Sequence, residues 1–216
     1  MPIRTTYTPF GRPAAYDVGE VLVELKTGGS FTTHLSAGYY EISVIGAGGG
    51  GGGGSWKSGH KHAGGGGGSG AGFVGVTWLS GGEYTFKCGQ GGAGGANAEA
   101  RASAGFDGGN SEVIKDGTRL ILTQGGAGGW GARSRSYVTA SGRPTGEAGK
   151  LTLSSAFTYE RFSVKSNGNA GVSDKYGAPG AAVDGVHGVG GIGERKKYGL
   201  PGGNGYIKVS YLGLED

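Results

Sequence analysis

An all-β frame whose connections are ordered glycine-rich helices is the fold class this sequence predicts. Three observations carry that expectation. Fifty-five of the 216 residues are glycine, and they are clumped. Short stretches rich in Val, Ile, Leu, Tyr and Phe, the residues of strands, bracket the clumps. No amphipathic helix of useful length appears outside one ambiguous segment, 151–164. The glycine runs are 46–54 (GAGGGGGGG), 63–72 (AGGGGGSGAG), 89–96 (GQGGAGGA), 125–131 (GGAGGWG) and the looser tract 177–205.

The elements follow in chain order. Residues 1–20 hold Pro2, Pro9 and Pro13 and read as an extended arm, followed by one glycine-rich β domain over 21–216. Val21–Leu25 (VLVEL) is a strand closed by the turn signal Thr27-Gly28-Gly29-Ser30. Residues 31–35 alternate weakly and are expected to pair back with it. Segment 39–45 (YYEISVI) alternates strongly, with Tyr40, Ile42 and Val44 on one face, and runs into the first glycine tract. Strands are expected at 73–79, emerging from the second tract, and at 83–88, where Tyr84 and Phe86 share a face and the third tract follows. Strands 111–114 and 119–123 form a hairpin across Lys115-Asp116-Gly117-Thr118, whose Asp-Gly pair suits positive φ. Residues 132–150 read as a polar excursion. Segment 151–164 fits strand, helix or loop. Residues 206–212 close the chain as an alternating strand.

Glycine and proline at this level usually signal disorder. Two features oppose that reading: only 17% of residues are charged, so self-repulsion does not hold the chain open, and strand-like segments bracket the tracts repeatedly. Ordered polyglycine cannot be held by side-chain burial. It can form left-handed extended helices of three residues per turn, about 3.1 Å rise and no internal hydrogen bonds. Without Cβ atoms such helices approach closely and pair their amides with one another. That satisfies the rule that buried backbone groups be bonded only if several tracts pack together. Nine residues would make a rod of roughly 28 Å. Trp56, Trp78, Trp130, Tyr39, Tyr40, Tyr84 and Tyr206 lie beside tracts; Trp78 and Tyr84 fit the β core, whereas Trp56 and Trp130 fit exposed positions.

Composition narrows the function classes. Cys88 is the only cysteine, so no disulfide forms within the chain. The N-terminal segment does not resemble a signal peptide, and no apolar run approaches a membrane span. The expectation is an intracellular protein, or one released without a signal, as with a virus particle. The net charge of +4 is mild, and no basic block with interleaved aromatics suggests nucleic acid. No Gly-x-Ser-x-Gly elbow and no phosphate-binding loop ending in Lys-Ser/Thr occur; matches to Gly-x-Gly-x-x-Gly mean nothing in polyglycine. These points argue against an enzyme, and no cofactor is expected. His60-Lys61-His62 has chelating spacing but lacks further ligands, so a loop surface is the better reading.

The run YYEISVIGAGGGGGG, then GGGGGSGAGFVGVTWLSGGEYTFKCGQGGAGG, LILTQGGAGGWG and GNGYIKVSYL resembles the glycine-rich domain of bacteriophage tail-fibre and other surface proteins, over residues 31–212. The resemblance implies a jelly-roll of the tumour-necrosis-factor-like kind with polyglycine II helices. It also implies a virion protein, self-associating as a homotrimer or bound to other virion proteins, with loops that meet a host-surface receptor or glycan. This chain has fewer long tracts and more β structure than the related tail-fibre tip adhesins. Four loops would carry recognition: 55–62, 132–150, 167–176 and 194–198, since aromatic and basic side chains on loops over a rigid scaffold suit binding. The contact candidates are Trp56, Lys57, His60 and His62; Trp130, Arg133, Arg135 and Tyr137; Lys175 and Tyr176; and Arg195, Lys196 and Tyr198. A fibre-forming or capsid-decorating building block is the alternative role.

Overall fold

The computed structural model describes residues 16–57, 60–133, 145–172, 177–194 and 197–214, without the side chains of Lys57 and His60. It is all-β, a jelly-roll-like sandwich of two antiparallel five-stranded sheets. One sheet has the order β1 (Val21–Leu25), β12 (Tyr206–Gly213), β3 (Gly38–Ile45), β6 (Gly72–Leu79), β11 (Arg161–Ser166). The other runs β10 (Leu151–Leu153), β9 (Thr118–Thr123), β8 (Ser111–Lys115), β7 (Gly82–Cys88), β2 (Gly29–Leu35). A separate hairpin joins β4 (Ser55–Lys57) to β5 (His60–His62).

The alternation in the sequence sets the core. Tyr40, Ile42 and Val44 of β3, Phe73 of β6, Tyr84 and Phe86 of β7, Ile121 of β9, and Ile207 and Val209 of β12 are fully buried between the sheets. Two buried phenols are satisfied in the same way: the Tyr40 hydroxyl donates to the Ser36 carbonyl at 2.7 Å and that of Tyr84 to Ser80 at 2.9 Å. The β8–β9 turn places Asp116 at φ 46° and Gly117 at φ 78°, the positive angles expected of an Asp-Gly hairpin.

Two expectations change. Strand β2 does not pair with β1; β2 pairs with β7 and β1 with β12. The turn after β1 crosses between sheets, so Val23 and Leu35 reach one core from opposite sides. Segment 151–164 is strand, turn and strand: β10 ends at Leu153 and β11 opens at Arg161.

The glycine tracts form a bundle of parallel and antiparallel rods. Ten rods are described: r1 (46–54), r2 (64–71), r3 (89–98), r4 (102–110), r5 (124–132), r6 (146–150), r7 (167–172), r8 (177–182), r9 (188–194) and r10 (197–205). Their bonding advances in steps of three, the residue count of one extended-helix turn. In r1 the amides of Gly46, Gly49 and Gly52 donate to Ala71, Gly68 and Gly65 of r2. Those of Ala47, Gly50 and Gly53 donate to Gly109, Phe106 and Ser103 of r4, and those of Gly48, Gly51 and Gly54 to Gly203, Leu200 and Lys197 of r10. These nine bonds measure 2.8–3.0 Å. The r1 carbonyls in turn accept from Gly126, Gly129 and Ala132 of r5, from Gly92, Gly95 and Ala98 of r3, and from Gly191 of r9. Rod r1 thus has six bonded neighbours. Rod r2 has six as well: r1, r5, r6, r7, r8 and r9.

The rods stack in three rows that continue the sandwich. Strands β7, β8, β9 and β10 prolong into the row r3–r4–r5–r6, and β12, β3, β6 and β11 into r10–r1–r2–r7. Rods r9 and r8 make a third row against r1 and r2. In the sandwich, side chains hold the sheets roughly 10 Å apart; in the bundle the two rows bond backbone to backbone. A Cβ on Gly50 would lie 2.0 Å from the Ala93 carbonyl oxygen, and one on Gly52 the same distance from that of Trp130. Real Cβ atoms never approach so closely, which is why r1 and r2 are almost pure glycine.

Two polar groups fasten bundle to sandwich. The fully buried Ser111 Oγ accepts from Gly89 N at 2.9 Å and donates to the Ile45 carbonyl at 2.7 Å, bridging the sheets where they converge. At the r8–r9 turn, His187 Nδ1 lies 2.7 Å from Asp184 Oδ2, and the His187 ring stacks on Tyr206 at 4.1 Å. The Tyr206 hydroxyl donates to Glu24 Oε1 at 3.0 Å, tying that turn to β12 and β1. Partial burial pushes the Asp184 carboxyl up, but hydrogen bonds from His187 and from the amides of Val186 and His187 outweigh it and hold the group below its usual range.

Three outcomes follow from this frame. Gly50→Ala overpacks the bundle centre and costs at least about 3 kcal/mol in urea denaturation, whereas Gln90→Ala on the exposed face of r3 stays within about 0.5 kcal/mol. Ser111→Ala orphans a buried donor and acceptor and costs about 1–3 kcal/mol in the same measurement. A carboxylate whose folded pKa is depressed stabilises above its unfolded pKa and stops doing so as pH falls through the folded one. Asp184→Asn therefore lowers stability at pH 7 by about 1–2 kcal/mol, and its difference from wild type shrinks as pH falls through and below the usual carboxylate range, as followed by thermal melts across pH.

Candidate contact surface at the bundle tip

The rods leave the sandwich and return to it, so every connection between r1 and r2, r3 and r4, r5 and r6, r7 and r8, and r9 and r10 falls at the end remote from the sheets. Bonds at that end hold the rod termini together. Gly54 N donates to the Lys197 carbonyl, Ala98 N to Gly54, Ala132 N to Gly53, Ala102 N to Ala132 and Gly64 N to Glu194. The flanks of the four expected recognition loops are thus brought to one face, although far apart in sequence.

The structure also redraws those loops. Segment 55–62 is the β4–β5 hairpin, with Ser55 opposite His62, Trp56 opposite Lys61 and Lys57 opposite His60. Residues 145–150 and 167–172 are not loop: they include rods r6 and r7, since Gly146 and Gly149 donate to Gly66 and Ser69 of r2 and Gly168 and Gly171 to Gly149 and Gly146. A fifth connection, 98–101, belongs to the same face and was not foreseen. Trp56 N donates to the Glu99 carbonyl at 3.2 Å, and Ser55 bridges Ala98.

Of the expected contact residues, Trp56 and His62 lie half-buried in the hairpin, Arg133 is exposed at the end of r5, and Tyr198 is exposed at the start of r10. Trp130 is half exposed but stands one turn below the tip, on the flank of r5. Arg135, Tyr137, Lys175, Tyr176, Arg195 and Lys196 lie outside the described residues, as do the side chains of Lys57 and His60. The geometry adds Lys61, Arg101 and Lys197, all exposed at the tip. Arg101 and Arg133 are direct partners across an antiparallel bridge. A three-residue period would have found Arg101: Ala102, Gly105 and Gly108 mark the inner face of r4, and the chain turns just before it.

Among the described residues, no group of three or more His, Cys, Asp or Glu side chains is placed to hold a metal ion. A cleft of about 340 Å³ opens at the opposite end of the sandwich between Trp78, Tyr84, Lys115, Asp116 and Phe157. Polar groups there bond one another: Lys115 Nζ donates to Ser80 Oγ at 2.7 Å, and the Tyr84 hydroxyl to the Ser80 carbonyl. The His187–Asp184 pair, for its part, organises a turn, since Asp184 Oδ1 accepts from the amides of Val186 and His187.

No curated protein matches the chain significantly. A family model described as a glycine-rich domain matches residues 26–213, from the end of β1 to the end of β12. The whole rod bundle and every strand of the sandwich except β1 fall inside that match, and the chain belongs to this glycine-rich domain family.

Proposed function

We propose that this chain is a non-enzymatic attachment module of a virus particle, a tail-fibre or tail-tip protein whose rod bundle presents its distal connections to a host surface. One observation carries the reading: the r1–r2, r3–r4, r5–r6, r7–r8 and r9–r10 connections gather at one end of a stiff scaffold, the r8–r9 turn alone lying at the sandwich end. Pre-organised binding groups lose little freedom on contact, and bonded glycine rods hold them without a side-chain core beneath. The partner is a receptor or glycan on the host cell, the site of action is the outside of the virion, and no cofactor or nucleic acid enters.

A second reading, a self-associating building block such as a homotrimer, draws on the outer face of the β3 sheet. There Tyr39 packs edge-on against Trp78 at 5.0 Å, and the indole remains 38% exposed.

Replacing residues 56–62 by a short glycine turn tests the attachment role. The variant keeps the wild-type melting temperature and adsorbs to host cells at least about tenfold more weakly. Full adsorption by this variant, and by variants with each other tip connection shortened, removes the reading. Sedimentation analysis separates the two roles: a protein that stays monomeric at high concentration excludes the building block.

A further inference from the structure

We propose that a second copy of this chain adds to the free edge of β2, joining two sandwiches through an antiparallel β2–β2 pair about a two-fold axis. The inference goes beyond the attachment reading and does not rest on it. It uses neither the tip nor the outer sheet face around Trp78.

The two sheets end in four edge strands, β1, β11, β10 and β2. Three of them carry features that discourage further pairing. β10 is three residues long. β1 shifts register between Val21 and Val23 and bears the exposed Glu24. β11 shifts register between Phe162 and Val164 and bears the exposed Arg161 and Lys165. β2 has seven residues, pairs with β7 without a shift and holds no proline. From Thr27 to Tyr40 the sequence contains no Lys, Arg, Asp or Glu.

Three contacts fix which backbone groups of β2 face outward. The Tyr16 hydroxyl donates to the His34 carbonyl at 3.1 Å. Glu83, opposite His34 on β7, turns its carbonyl to the other side, where it accepts from Asp116 N at 3.2 Å. Thr32 Oγ1 lies 2.9 Å from Thr85 Oγ1, the close side-chain approach of a pair that exchanges no backbone bonds. His34 and Thr32 are therefore the non-bonded positions of the β2–β7 ladder. With Ser30, they aim N–H and C=O away from β7. Tyr16 closes this edge at His34 and leaves Ser30 and Thr32 open.

Those two residues complement themselves. With Phe31 on the two-fold axis, Ser30 of each copy lies opposite Thr32 of the other. Ser30 N–H donates to the second copy's Thr32 carbonyl, and Thr32 N–H to its Ser30 carbonyl; symmetry doubles both bonds. Phe31 meets its own counterpart at a non-hydrogen-bonded position, where side chains come closest. Phe31 is only partly buried, on the core side opposite Phe86, and an aromatic cross-strand pair covers it. On the outer side the junction sets serine against threonine, so no like charges oppose one another there. An unrelated strand would find the same backbone groups, but it would not bring the matching ring or satisfy two such edges with one surface.

The test follows the full chain by sedimentation equilibrium from about 5 to 500 µM and by amide hydrogen exchange. The protein dimerises, and the Ser30 and Thr32 amides exchange at least about tenfold more slowly at the upper concentration. Thr32→Pro removes an outward donor, a loss that an edge strand tolerates. It keeps the melting temperature of the dilute protein and weakens dimerisation at least about tenfold. Thr32→Lys serves the same purpose should the proline variant not fold. Trp78→Ser, on the other sheet, dimerises within about twofold of wild type. A monomer throughout, a trimer, a dimer indifferent to both Thr32 variants, or an equal loss in Trp78→Ser overturns the proposal. A monomer whose Ser30 and Thr32 amides still exchange slowly puts another part of the chain on the edge and overturns it as well. The variant with residues 56–62 replaced dimerises as wild type does, so failure of attachment and failure of this pairing are read separately.

Discussion

The whole molecule depends on backbone amides bonding across rods that have no Cβ atoms between them. Each inner rod sends donors in three directions and receives bonds from others, one residue after another, in steps of three. Such packing pays no side-chain entropy, but it costs heavily in glycine backbone freedom. The cost is offset only where every buried amide finds a partner. For that reason the bundle is cooperative: r1 alone would be a slack tether, and it is rigid because six neighbours bond to it. The β-sandwich supplies the missing order. Its strand ends hold eight of the ten rods side by side at the strand spacing of about 4.8 Å, in the sequence in which they must bond.

Rim rods face a problem that the inner rods lack, since part of their backbone points outward. Asn and Asp side chains from adjacent rods meet several of these donors. Asn204 Oδ1 accepts from Gly91 N at 3.0 Å, Asn110 Oδ1 from Gly125 N at 3.1 Å, and Asp107 Oδ1 from Gly128 N at 2.8 Å. Asp107 and Asn110 are three apart and cap Gly125 and Gly128, also three apart. The caps occupy the grooves between rods, where another copy would otherwise add its own rods. They do for this bundle what charged or shortened edge strands do for a sheet.

Much of the frame is legible in the sequence because period-two alternation is a strong signal. Tyr40, Ile42 and Val44, or Ile207, Val209 and Tyr211, announce a strand and its buried face at once. Partner choice is less legible. The turn after β1 reads as a hairpin, yet it crosses to the other sheet, because Val23 and Leu35 are each apolar enough to enter the core from either side. Unbroken glycine marked r1 and r2, the two rods enclosed on all sides. Rods r4, r6 and r7 escaped notice because a rim rod needs glycine only where it meets its neighbours. In r6 that means Gly146 and Gly149, and in r7 Gly168 and Gly171; Glu147 and Asn169 are tolerated on outward positions. The run of glycine along a rod reports how much of its circumference is buried.

The same logic explains why the tip, and not the rods, can vary. A Cβ inside r1 collides with a neighbouring carbonyl oxygen, so mutation there threatens the fold. Past Gly54 the geometric demand ends, and Trp56, Lys61, Arg101 and Lys197 stand where no neighbouring rod dictates their size. Charge accumulates at that face without penalty to a core that has no charged groups and no room for any. A rod bundle held together chiefly by backbone pairing leaves the composition of its end free to be set by what it contacts.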